Sequence, residues 1–128
     1  MSNNFYETST PYKQGVAILK SDLVPNVIFE LGEPAQSISG LNGFLMEVSA
    51  DGLEGVMDVS PTQIYNADTL LTAGNKEVGT KIYYDPATGA LTDTVVGEVF
   101  GKLVRVSHDD VFPVVGGVTA NINVLLVN

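Results

Sequence analysis

The sequence predicts a mainly β fold: a compact β-sandwich or small β-barrel with one short helix and an extended N-terminal arm. Three observations predict it. After Gly15 the apolar residues come in short runs with period-two character. Gly, Pro, Asn and Asp interrupt those runs at close spacing. The length, 128 residues, suits one domain, and many short strands with Gly/Pro turns usually close into a sandwich or barrel. The expected organisation is an arm over residues 1–14 and a single β-rich domain over 15–128.

Taken in order, Met1 to Gln14 is polar, carries Phe5, Tyr6 and Tyr12, and has no sustained period. It reads as an arm whose aromatics anchor it on a partner. Strands are expected at Val16 to Leu19, Val27 to Leu31, Val56 to Val59, Lys81 to Tyr84 and Lys102 to Ser107. The clearest alternations are Phe44, Met46 and Val48 against Leu45, Glu47 and Ser49, and Ile122, Val124 and Leu126 against Asn121, Asn123 and Leu125. Turns are expected at Asn42-Gly43, Asp51-Gly52, Ala73-Gly74-Asn75 and Gly116-Gly117, where residues tolerant of left-handed backbone gather. Ser60-Pro61-Thr62-Gln63 has the form of a capping box with proline at the first helical position, which predicts a short helix from Pro61 to Leu71. A strand from Asp68 to Thr72 competes with it. Ile28, Leu45 and Leu125 fall on faces that alternation gives to solvent, and are candidate contacts with another subunit or a larger surface.

Composition narrows the function. Six Lys+Arg against 15 Asp+Glu give a formal charge of −9, which argues against a nucleic-acid partner, because phosphate binding draws on clustered cations. No apolar run approaches the roughly 18 residues of a membrane span, and Met1-Ser2-Asn3-Asn4 lacks the form of a signal peptide. The expectation is a protein made in the cytoplasm with no membrane partner. There is no cysteine, hence no disulfide and no thiolate metal site. Charged residues make up 16%, below the roughly 25% of ordinary soluble domains. Either another chain covers part of the surface or neutral Asn, Ser and Thr replace the charges.

A search for chemistry returns little. The single histidine, His108, precedes Asp109-Asp110 and follows Ser107, but strand neighbours point oppositely and no Gly-x-Ser-x-Gly elbow is present. Neither Asp51-Gly52-Leu53-Glu54 nor His108-Asp109-Asp110 has the alternating acidic spacing of a calcium loop. Gly40-Leu41-Asn42-Gly43 and Gly97 to Gly101 lack the phosphate-loop fingerprint. Neither an enzyme nor a cofactor is expected.

The stretch from Gly79 to Val106 carries the most information. Physically it is strand, tight turn, strand, with Asp85, Pro86 and Gly89 supplying the reversal. Its pattern, Ile82-Tyr83-Tyr84-Asp85, the Thr88-Gly89 turn, Leu91-Thr92 and a return through Gly97 and Gly101, resembles the small decoration, or head cement, proteins of tailed bacteriophages. It spans about a fifth of the chain. The resemblance implies a β-rich structural protein on the outer surface of the virion capsid, bound to the major capsid protein, with trimers common among such proteins. A carbohydrate- or receptor-binding β-module and another virion subunit, of tail tube or head completion, remain alternatives.

Overall fold

The computed structural model describes residues 14–105, 113–114 and 118–128. The strands are β1 Gly15–Leu19, β2 Pro34–Gln36, β3 Asn42–Val48, β4 Glu54–Asp58, β5 Ile64–Leu71, β6 Gly74–Asn75, β7 Lys81–Asp85, β8 Ala90–Thr92, β9 Glu98–Leu103, β10 Pro113–Val114 and β11 Val118–Leu126. They build a four-stranded sheet in the order β1-β4-β3-β2 and a closed barrel in the order β11-β5-β8-β7-β9, with β6 and β10 paired apart. Every neighbouring pair is antiparallel except β5 and β8. The mainly β expectation holds.

One core runs through both parts. Ile18, Ala35, Phe44, Leu45 and Met57 come from the sheet; Leu71, Ile82, Tyr84, Leu91, Phe100, Leu103, Ile122 and Val124 come from the barrel. Phe44 joins them, stacked on Tyr65 with ring centroids 4.5 Å apart and edge-on to Phe100 at 5.4 Å. Ring pairs of this kind add about 0.5–1.5 kcal/mol beyond the area they bury.

Polar groups make the same join. The Gln36 side-chain amide donates to Asn42 Oδ1 at 2.7 Å, and Asn42 Nδ2 donates to the carbonyls of Val99 and Val127 at 3.0 and 2.7 Å. Both side chains are almost fully buried, and these bonds supply what burial of an amide requires. Tyr84 is a different case. Its ring is fully buried, but its hydroxyl has no hydrogen-bond partner. Burial, with a smaller contribution from the Glu33 charge, pushes its pKa well above that of an ordinary tyrosine.

The turn between β7 and β8 forms as its residues predict. Asp85 Oδ1 accepts from Ala87 N at 2.9 Å, Asp85 O accepts from Gly89 N at 2.8 Å, and Gly89 sits at φ +73°. A Cβ on Gly89 would stand 2.5 Å from the carbonyl oxygen of Asn26, so the turn packs backbone to backbone on that loop.

Several expectations are corrected. Pro61 to Leu71 is not helical: Pro61 and Thr62 form a turn, and β5 shows the period of two, with Ala67, Thr69 and Leu71 buried and Asn66, Asp68 and Leu70 exposed. Ser60 caps nothing; its hydroxyl donates to Asp58 Oδ1 at 2.6 Å and accepts from Gln14 N. The one helical segment among the described residues is a 3-10 turn at Lys20–Asp22. Val27 to Leu31 is loop, and the strand expected from Lys102 to Ser107 runs instead from Glu98 to Leu103. Asn42-Gly43 begins β3 rather than turning, because a glycine is needed where a Cβ would meet Asp58 O and Met57 Cγ, both at 2.5 Å. Gly74-Asn75 is the short strand β6. Gly116-Gly117 lies outside the described residues.

Candidate functional site

An apolar concavity opens where β1 stops. Leu19 N donates to Asp22 Oδ2 at 2.9 Å and Lys20 N donates to Leu53 O at 2.8 Å, which fixes the 3-10 turn against the β3–β4 hairpin. The hairpin is held by Asp51, whose Oδ1 accepts from Ser49 Oγ at 2.6 Å and from Leu53 N at 3.0 Å. Those two hydrogen bonds hold its carboxyl below the usual range. On the other side Ile38 N donates to Asp22 O at 2.9 Å and Val24 N donates to Gln36 O at 3.0 Å, which carries the Ser37-Ile38-Ser39 turn to the same place.

Leu19, at the end of β1, and Leu53 and Ile38, from two separate turns, therefore surround one cleft of about 620 Å³ floored by Leu23 and Val27. The floor is buried, yet the three rim residues are 50%, 62% and 71% exposed. Covering each would contribute about 1 kcal/mol, half the value of full burial. Three such side chains meeting at one surface is what a partner would cover, unlike single scattered apolars. Lys20 is the one charged residue among the described residues that line the cleft.

The residues predicted from sequence do not assemble this way. Ile28 is exposed as expected, and with Leu70 it borders a groove of about 310 Å³ between sheet and barrel, lined also by Asn66, Asp68 and Asn121. Leu125 is half-buried, opposite Lys102 and Ile64, and lies six residues along β11 from Thr119 of that groove, about 20 Å away. Leu45 is buried at 2% exposure, not outward. The reason is a bulge: Leu45 pairs with Met57 and Glu47 with Val56, so Met46 is left over and the strand's faces exchange there. Phe5, Tyr6, Tyr12, Ser107, His108, Asp109 and Asp110 lie outside the described residues.

Sequence reasoning missed Ile38 and Leu53 because it searched strand faces, where of the three only Leu19, the last residue of β1, lies. The available signal was a large apolar residue inside a polar turn, as in Ser37-Ile38-Ser39 and Asp51-Gly52-Leu53.

The acidic residues do not converge. Asp58 is buried on Ser60, Asp51 serves its own turn, and no group of three or more His, Asp or Glu stands together among the described residues. No described helix is long and apolar enough to cross a membrane. No protein-family model, curated protein or solved structure matches the chain.

Proposed function

We propose that this protein is a structural virion protein that binds the outer surface of the expanded phage capsid and cements adjacent major capsid protein subunits, with copies associating as trimers. The observation that carries the reading is the apolar cleft rimmed by Leu19, Ile38 and Leu53, a contact surface on a rigid β scaffold. The resemblance of Gly79 to Val106 to head cement proteins and the low share of charged residues support it.

The mechanism is additive. Each copy covers a modest apolar area on the shell, and contacts from linked copies sum through effective concentration. A protein that binds the expanded shell and not its precursor stabilises the expanded state by mass action. An acidic surface suits an outer position, away from packaged DNA.

The test is sedimentation of purified protein with undecorated expanded capsids and with unexpanded procapsids. Pelleting with the expanded shell alone is the expected result. Pelleting with neither refutes the proposal, and binding on a glycan array without capsid affinity would replace it with a carbohydrate-binding role.

A further inference from the structure

We infer that Asn42 is a latent deamidation site, sealed while the sheet stays joined to the barrel, and that its conversion in an opened chain bars the return to the native fold.

The fold itself requires the labile pair. Position 42 needs an amide, because Asn42 Oδ1 accepts from Gln36 Nε2 at 2.7 Å while its Nδ2 donates to Val99 O at 3.0 Å and Val127 O at 2.7 Å. Position 43 needs a glycine, since a Cβ there would stand 2.5 Å from both Asp58 O and Met57 Cγ. Asparagine before glycine is the pair in which the next backbone nitrogen reaches the side-chain carbonyl most easily, because no side chain shields that nitrogen or restricts its approach. Asn42-Gly43 is the one such pair in the sequence.

The folded protein holds the reaction off. Attack requires a free Gly43 nitrogen and a side chain able to swing toward it. Gly43 pairs with Ala35, and alternation from Leu45, whose N donates to Glu33 O at 3.0 Å, turns the Gly43 N–H into the β2–β3 ladder. Asn42 is 1% exposed and fixed by its three side-chain hydrogen bonds. In an opened chain both restraints vanish. The Gly43 nitrogen then bonds to Asn42 Cγ and gives its proton to solvent, while the Cγ–Nδ2 bond breaks and ammonia leaves. Water opens the resulting imide at either carbonyl. Breaking the new bond leaves an aspartate; breaking the old peptide bond leaves an isoaspartate, with an extra methylene in the backbone. Neither product fits the joint. A carboxylate at position 42 would set its lone pairs against the Val99 and Val127 carbonyls and bury a charge without a cation. The extra methylene would also shift β3 against the register that Phe44 makes with Pro34 and Asp58.

The inference does not rest on the capsid role and is tested on the full-length protein alone. Samples are aged in mildly alkaline buffer with and without denaturing urea, and conversion at each asparagine is mapped by mass spectrometry. Conversion at Asn42 should run about a hundredfold or more slower without urea, because only the opened fraction reacts. In urea short of the unfolding midpoint, Asn128→Ala should speed it about fivefold, since that substitution removes the two bonds by which Asn128 holds the Asn42 backbone. After the urea is diluted, chains converted at Asn42 should be confined to the fraction that fails to refold, whereas chains converted at the exposed Asn66 should divide between both fractions. Equal rates with and without urea would overturn the inference. So would a rate indifferent to Asn128→Ala, or chains converted at Asn42 that refold as often as the rest.

Discussion

The side chain of Asn128 completes a backbone rung for Asn42: Asn42 N donates to Asn128 Oδ1 at 2.7 Å, and Asn128 Nδ2 donates to Asn42 O at 2.9 Å. The exchange occurs where β4 offers no partner, since the β3–β4 register starts at Phe44. Asn42→Ala would strip partners from Gln36, Val99 O and Val127 O inside the core. A loss of about 3 kcal/mol is expected in urea unfolding, against about 1 kcal/mol for Asn128→Ala, whose position is exposed.

Tyr84→Phe should stabilise the protein. The hydroxyl is buried without a partner, so its removal ends a desolvation cost and leaves the ring's contact with Phe100 in place. A gain of about 1 kcal/mol is expected in the same assay. A loss would mean that the hydroxyl is satisfied in solution.

Gly89→Ala should be costly for two reasons that act together. The residue holds a left-handed φ, and its Cβ would press on the Asn26 carbonyl. A destabilisation of about 2–3 kcal/mol is expected, larger than for Gly52→Ala, which has the φ but open space.

Asp93 predicts an acid-sensitive component of stability. Burial tends to raise its pKa, but Lys76 at 2.8 Å and the Thr72 hydroxyl and N–H outweigh that and hold it below the ordinary 3.8. A carboxyl depressed in the folded state stabilises above its unfolded pKa and loses that contribution as pH falls through the folded value. Stability should therefore drop below about pH 4, and Asp93→Asn should flatten that part of the profile in thermal melts.

Leu53→Lys separates contact from folding. The side chain is 62% exposed, so the melting temperature should hold, with less than about 0.5 kcal/mol of change, while co-sedimentation with expanded capsids falls. Retained binding would remove the cleft from the proposed interface.

The turn chemistry was legible in the sequence because it is local. Asp85, Pro86 and Gly89 specify a reversal through their own backbone, and the structure forms it. Alternation located β11 for the same reason, with Ile122, Val124 and Leu126 inward. Ser60 was misread because a hydroxyl that could cap a helix can equally bond a carboxylate two residues back, and Asp58 was the nearer partner. Leu45 was misplaced because a bulge at Met46 depends on the partner strand and leaves no mark in the period. The cleft was illegible because its rim is gathered from a strand end and two turns distant in sequence, and only the packed fold brings them together.

The polar side chains that hold the sheet to the barrel, Gln36, Asn42 and Asn128, are amides, although the chain carries a formal charge of −9. An amide has nothing to titrate near neutrality and no ionic field for salt to screen. The two halves should therefore keep their relative orientation across ionic strengths that weaken exposed ion pairs. In the proposed capsid role, such a joint would hold the shape of the molecule through changes of salt and acidity.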